Sequence, residues 1–212
     1  MTTVPLASIE DVVFQVANVL RIPVLIAAMV ALAVVLIELG ALAVELTRRR
    51  RRDTAFLERT ATVARTTLRE SGATAAGNVL RAAASSDAVA AVYETLVGLA
   101  GKPGAEPRMA KSLADFDLRS LQRLERTRLL VRAGPALGLM GTLIPLSPAL
   151  SGLARGDVTR LTDNLRVAFS VTVLGLLVGA LAFGISLVRD RLYAQDLSDL
   201  EFVAAVLEEP PA

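Results

Sequence analysis

The chain has 212 residues, of which 53% are hydrophobic, and its mean hydropathy of +0.53 exceeds what a soluble domain of this size needs to fill its core. It contains no cysteine and no histidine, which excludes a disulfide framework, thiolate chemistry and the commonest metal ligand and general base. The net charge of +2 and the pI near 9.5 come from arginine clusters beside apolar stretches, so we expect them to reflect membrane topology and not nucleic-acid binding.

The first predicted elements are an amphipathic segment and a membrane span. Residues 1–22 carry apolar side chains at helical spacing, which predicts a short amphipathic helix on the outer membrane surface. From Val24 to Leu46 the only charges are Glu38 and Glu45, and the stretch is long enough to cross about 30 Å of hydrocarbon. Because it lacks the basic start and the cleavage pattern of a signal peptide, we predict a retained transmembrane helix over residues 23–47.

A charged region, residues 48–130, follows the first span. It opens with the arginine run at 48–52 and is rich in alanine, arginine, leucine, glutamate and threonine, with apolar side chains at helical spacing. Its one strong break is the segment 101–107, where proline and repeated glycine interrupt any helix. We therefore predict helices before and after that loop, the second running unbroken into the next span, and no β-strand anywhere in the chain.

Two further stretches, residues 133–154 and 167–188, contain no charged side chain and predict the second and third spans, over residues 131–154 and 165–188. The short connection between them, residues 155–164, is nearly balanced in charge and is typical of an outer turn. Residues 189–212 have leucine and valine at helical spacing and predict a cytoplasmic extension of the third helix. The predicted fold class is an all-α integral membrane protein with three transmembrane helices and a helical cytoplasmic domain between spans one and two.

The positions of the arginines predict the orientation of the chain. Short flanks rich in arginine stay on the cytoplasmic side, and all the flanking clusters fall on one side if the amino terminus is outside and the carboxyl terminus is cytoplasmic. These clusters are the run at 48–52, then Arg123, Arg126, Arg128 and Arg132 before span two, and Arg189 and Arg191 after span three. We expect a multi-pass protein of the cytoplasmic (inner) membrane, whose arginine run can also bind anionic lipid head groups.

Small residues recur along one face of each of the last two spans. In span three they alternate at steps of about four and three, as they do in span two, and such stripes let helix backbones approach closely. Helix packing within one subunit is the ordinary explanation of a small-residue stripe. The two sets are Ala168, Thr172, Gly175, Gly179, Ala182 and Ser186 in span three, and Gly134, Gly138, Gly141, Pro145, Pro148 and Gly152 in span two, with Pro135 and Thr142 beside them.

The order of residues in these stripes carries a family resemblance. The sequence from Pro135 to Thr142 resembles the Pro-x-x-Gly-x-x-Gly-Thr signature of the second span in the MotA/TolQ/ExbB family. The segment from Thr172 to Leu176 resembles the Thr-x-x-Gly-Leu element of that family's third span. The layout, with a cytoplasmic domain between spans one and two, is closer to TolQ and ExbB than to MotA, and the chain looks like a divergent TolQ/ExbB-like branch.

The resemblance implies an ion-driven rotary motor. A ring of five copies would surround the single transmembrane helices of two partner chains of the ExbD/TolR/MotB type, and flow of H⁺ or Na⁺ would drive rotation. Thr142 and Thr172 would line the pore, since a hydroxyl can interact with a passing ion while a full charge in hydrocarbon is costly. The small residues Pro135, Gly138, Gly141, Ala168, Gly175 and Gly179 would pack around it. The partner supplies the titrating carboxylate, and no cofactor, metal or nucleic acid is implied.

The chain departs from the family pattern at two positions. TolQ and ExbB carry a glutamate about five residues before the third-span threonine, and this chain has Val167 there, with Ser170 as the nearest polar side chain that can substitute. The glycine three residues after the second-span threonine is Pro145, which predicts a kinked helix. These departures leave the choice between H⁺ and Na⁺ open.

Two acidic positions and two other function classes complete the prediction. Glu38 is the only acid deep in an apolar stretch; it is either a functional intramembrane carboxylate or, as we favour for a peripheral helix, a packing group bonded to a neighbouring helix. Glu45 is predicted to be a solvated partner of Arg48 or Arg49. An enzyme is disfavoured because no phosphate loop and no paired carboxylates are present. The alternative is a membrane scaffold or a transporter permease subunit without ion-driven rotation.

Overall fold

The computed structural model describes residues 6–49 and 54–209, and these form helices and short connections with no strand among them. The predicted all-helical fold is therefore confirmed. The arginines at 50–52 and the ends of the chain, residues 1–5 and 210–212, lie outside the described residues. The helices are α1 (Leu6–Arg48), α2 (Thr54–Ser71), α3 (Ala73–Ala83), α4 (Asp87–Leu99), α5 (Ala105–Leu153) and α6 (Val158–Glu208).

The first helix is longer than the sequence predicts. A separate amphipathic helix was expected to end before Pro23, but α1 continues through this residue without a break. Proline is tolerated within a membrane helix because neighbouring groups can satisfy the carbonyl that loses its donor. Val16 and Leu20, two of the apolar positions in the amphipathic segment, are exposed.

The charged region contains two breaks that the sequence analysis missed. Gly72 separates α2 from α3 with a φ of 86°, a conformation that glycine adopts at little cost. Ser86 separates α3 from α4, and its side chain accepts a hydrogen bond from the backbone N–H of Val89 as an N-cap. The predicted single break at 101–107 is real but shorter, because α5 already begins at Ala105 and proline is compatible with a first helical turn.

The two long helices join through a turn shorter than predicted. α5 runs unbroken for 49 residues, as expected, and contains Pro135, Pro145 and Pro148. The turn occupies residues 154–157, with Gly156 at a φ of 79°, so Asn164 lies on α6 and not in a loop. There its Oδ1 accepts a hydrogen bond from the Nη2 of Arg21 at 3.0 Å. Asn164 is thus a structural partner of α1.

Within residues 6–49 and 54–209, three helices are long and apolar enough to cross a membrane, in agreement with the three predicted spans. They lie within α1, α5 and α6. The chain divides into two compact units, which we call the first unit (residues 1–40 and 126–186) and the second unit (residues 41–125 and 187–212). The first unit contains the small-residue stripes of spans two and three.

The second unit has a core to which α2 to α6 all contribute. Its largest fully buried side chains include Leu80, Tyr93, Leu96 and Leu200. On α5 only some of the apolar residues at helical spacing belong to this core. Phe116 and Leu124 are buried, whereas Leu118 and Leu121 are exposed. On α6 the pattern holds better: Leu200, Val203 and Leu207 are all buried.

Leu80 and Leu118 provide a matched test of this core. Leu80→Ala removes a fully buried side chain and is expected to lower the free energy of unfolding by about 2–5 kcal/mol. Leu118→Ala makes the same chemical change at a position that is 55% exposed, and its effect should stay within about 1 kcal/mol. Thermal unfolding of the purified chain measures both. Equal losses would mean that the core is placed incorrectly.

Candidate functional site

The small-residue stripes of α5 and α6 meet within the first unit. A Cβ placed on Gly175 would lie 2.5 Å from the carbonyl oxygen of Gly134 and 2.8 Å from the Cα of Gly138. One placed on Gly134 would lie 2.7 Å from the carbonyl oxygen of Gly175. The two backbones are therefore in direct contact, which only residues without a side chain permit.

The contact extends in both directions along the two helices. Towards the start of span two, a Cβ on Gly179 would lie 2.9 Å from the Cδ of Pro135. Towards the other end, Gly141 receives the side chain of Val171. We call this line of contacts the glycine seam; its members are Gly134, Pro135, Gly138 and Gly141 on α5 and Val171, Thr172, Gly175 and Gly179 on α6.

Thr172 lies in the middle of the glycine seam and is half-buried. Its Oγ1 lies 3.3 Å from the carbonyl oxygen of Gly138 on α5 and 3.1 Å from that of Ala168 on its own helix. The hydroxyl has one proton and two acceptors within reach, so it can donate to either carbonyl and still accept through its lone pairs. Thr172 is thus a polar group held between two helices in an apolar surrounding.

The other two predicted pathway hydroxyls bond within their own helices. Thr142 is half-buried and its Oγ1 donates to the carbonyl of Leu139 at 2.8 Å. Ser170 is exposed and donates to the carbonyl of Arg166 at 2.8 Å. Because residues two apart on a helix differ by about 200° in direction, Ser170 points away from Thr172. One chain alone does not bring these two hydroxyls together.

Of the residues predicted to pack around a pore, Pro135, Gly138, Gly141, Gly175 and Gly179 lie in the glycine seam within one chain. Ala168 is buried with the seam glycines. Val171 and Val178 are also buried and contact Gly141 and Gly134 of α5. They escaped notice because only small residues were considered. Val171, Gly175, Val178 and Ala182 follow one another at steps of four, three and four, which is the spacing of a packing stripe.

Span one packs through a narrower stripe. Val24, Ala28, Ala31 and Val35 are buried at steps of four and three, whereas most of its other apolar side chains are exposed. Glu38 is half-buried and has an interaction partner, so it is not an isolated charge. This arrangement agrees with a peripheral helix that has one packed face.

The three apolar helices and the backbone contact between two of them define a helical integral membrane protein. Part of the chain also matches a protein-family model. Residues 101–201 match the model of the MotA/TolQ/ExbB proton channel family. The match spans α5 and most of α6, including both threonine motifs, and it confirms the resemblance noted in the sequence. A search of curated proteins found no match.

Gly175 and Gly184 offer a matched test of the glycine seam. Gly175→Ala places a methyl group 2.5 Å from a backbone oxygen, so the two helices must separate, and we expect a clear fall in Tm in detergent. Gly184 lies on the same helix with no atom within 4 Å of its hypothetical Cβ, and Gly184→Ala should leave Tm unchanged or slightly raised. The same Tm for both variants would show that the helices do not make this contact.

Proposed function

We propose that the chain is the ion-channel-forming stator subunit of a rotary motor that is driven by the proton (or sodium) motive force. The observation that carries the proposal is the family match over residues 101–201, which contains both threonine motifs. In this proposal a ring of five copies surrounds the spans of two single-span partner chains of the ExbD/TolR/MotB type. The family is one of channels and not an enzyme class, and the protein works without a cofactor.

The proposal assigns the chain to the inner membrane with its amino terminus outside and its carboxyl terminus in the cytoplasm. Residues 48–130 and 189–212 are then cytoplasmic, and the turn near residues 155–164 is outside. The support is the distribution of arginine, because basic flanks are retained on the cytoplasmic side.

Thr142 and Thr172 are proposed to contribute hydroxyls to the ion pathway. The position of Thr172 supports this, since its half-buried hydroxyl lies in an apolar span and keeps lone pairs that can interact with a water or a cation. Ser170 can share a pathway with Thr172 only if the two come from different copies, because they point in different directions from one helix. Val167 leaves the titrating carboxylate to the partner chain.

One observation favours the alternative of a membrane scaffold or a permease subunit. The hydroxyl of Thr172 is within hydrogen-bond distance of Gly138 in the same chain, as expected of a group that only holds two helices together. Single-particle electron microscopy of the chain, alone and coexpressed with its gene neighbour, separates the two functions. We expect five copies around a pore that two partner helices occupy. A monomer, or a dimer with Thr172 facing only its own helices, would favour the scaffold.

Substitution of Thr172 tests the pathway directly. Thr172→Val keeps the shape of the side chain but removes the hydroxyl, and we expect ion flux into proteoliposomes to fall about tenfold, as for one lost hydrogen bond to a charged group. Thr172→Ala should have a smaller effect because a water can occupy the space, and Thr172→Ser should retain most of the flux.

The control for this experiment is Thr162→Val. Thr162 also lies on α6, is exposed, and donates to the carbonyl of Val158, so its loss should not affect flux. Assembly of every variant is checked by its elution volume on size exclusion. Unchanged flux in Thr172→Val, with assembly intact, would remove Thr172 from the pathway.

Glu38 is proposed to be a packing group and not a member of the pathway. Glu38→Gln preserves its size and hydrogen-bonding capacity, so we expect assembly and ion flux to stay within about twofold of the unmodified protein. The same proteoliposome assay measures this. A loss of flux comparable to that of Thr172→Val, in a correctly assembled variant, would instead identify Glu38 as a proton-carrying group.

A further inference from the structure

Four charged side chains form a continuous chain of ion pairs in the second unit. Arg49 binds Asp196 through two parallel contacts, Nη2 to Oδ2 at 2.6 Å and Nη1 to Oδ1 at 3.0 Å. The same Nη2 lies 3.4 Å from Oε1 of Glu45, and Oε2 of Glu45 lies 3.7 Å from Nε of Arg189. We call this set the four-charge cluster. Two positive and two negative charges make it neutral as a whole.

The four-charge cluster is largely removed from solvent. Asp196 is 3% exposed and Arg189 is 7% exposed, while the side chains of Arg49 and Glu45 are 11% and 25% exposed. The prediction that Glu45 pairs with Arg49 is therefore confirmed, but the prediction that the pair is solvated is wrong. Burial, with the nearby carboxylates of Asp199 and Asp196, raises the pKa of the Tyr93 phenol, as expected beside charges in a poorly solvated region.

The cluster joins parts of the chain that are far apart in sequence. Arg49 follows the end of α1, and Asp196 and Arg189 lie on α6, 147 and 140 positions away. Ser85, in the connection between α3 and α4, donates from its Oγ to Oδ1 of Asp196 at 2.7 Å. One carboxylate on α6 thus holds both the end of α1 and the α3–α4 connection.

Few apolar side chains pack around the end of α1 near the four-charge cluster. Among the described side chains of residues 41–49, Leu42 is the only apolar one that is buried, and Val44 and Leu46 are exposed. A cavity of about 380 Å³ lies beside the cluster, lined by Glu45, Arg49, Ser85 and Ser86 among others. The last turns of α1 therefore have open space beside them and few apolar contacts of their own that would oppose a small displacement.

We propose that the four-charge cluster is a latch that selects one packing of the end of α1 and of the α3–α4 connection on α6. Its contribution to stability is small, because taking ions out of water offsets most of their attraction. Its contribution to position is large, because a guanidinium bound through two nitrogens fixes both distance and direction. This inference does not depend on the proposed function, since it concerns contacts within a single chain.

A double-mutant cycle tests the energetic part of the inference. Arg49→Met and Asp196→Leu each leave a buried charge without its main partner, and each should lower Tm by about 10 °C. The double variant, Arg49→Met/Asp196→Leu, should recover most of that loss. The control is Asp115→Asn, which breaks the exposed pair with Lys111 and should leave Tm unchanged. If the Tm of the double variant lay below that of both single variants, the ion pairs would make a large net contribution to stability. That result would overturn the inference.

A distance measurement tests the positional part. The chain has no cysteine, so Thr47→Cys on α1 and Ala194→Cys on α6, both exposed, can carry a pair of spin labels. Labelled chains are diluted with unlabelled ones so that distances between copies do not contribute. We expect one narrow distance distribution for the otherwise unmodified protein, and a distribution at least twice as broad, or a second distance, for the double variant.

Arg49→Lys provides a second variant that retains the charge and should fold. Lysine cannot bind the carboxylate through two nitrogens, so we expect a broadened distribution with a Tm within a few degrees of the original. A narrow, unchanged distribution in both Arg49→Lys and the double variant would show that apolar packing alone fixes α1, and the latch would be excluded.

Discussion

The contact between the backbones of α5 and α6 is the constraint on which the first unit depends. Hydrocarbon removes the hydrophobic force that joins helices in water, so spans associate through close packing and hydrogen bonds. Gly134 and Gly138 on one helix and Gly175 on the other provide this packing, because no side chain stands between their main chains. The stripe of Ala168, Gly179 and Ala182 follows from the same requirement, since larger residues there would force the helices apart.

The same contact determines what Thr172 can do. Between two backbones that nearly touch, a hydroxyl has carbonyl acceptors on both sides and stays polar at little cost. A purely structural threonine and a pathway threonine would both occupy this position. In the structural role, the free lone pairs of the Thr172 oxygen face another helix, and in the pathway role they face a solvated pore. Which of the two they face depends on how the chains assemble into a ring. A substitution that removes the hydroxyl but keeps the shape of the side chain therefore distinguishes the two roles. A larger change in the side chain would disturb the packing in either case.

The sequence predicted the spans, the continuity of α5 and the glycines of the glycine seam, because composition and periodicity along one helix carry that information. It did not predict the breaks at Gly72 and Ser86, where a single glycine or a serine cap acts within a region of otherwise strong helix formers. It predicted the pairing with Glu45 but not the main partner of Arg49. That residue was read as part of a topological arginine run, but its main contact, Asp196, is 147 positions away and no periodicity connects them. The direction of Ser170 relative to Thr172 was available from helix geometry alone and was overlooked.

The prolines of α5 leave polar backbone carbonyls in the second span, which its apolar side chains do not reveal. Proline has no amide hydrogen, so the carbonyls of Val131, Gly141 and Ile144 lose the donor that a regular helix would offer four residues later. A carbonyl released in this way attracts water, a hydroxyl or a cation when the surroundings are apolar. Two of these oxygens belong to residues on or beside the glycine seam: Gly141, and Val131, which lies near Gly179. Span two therefore carries hydrogen-bond acceptors in its main chain, although its sequence from Ala133 to Ala154 contains no charged residue.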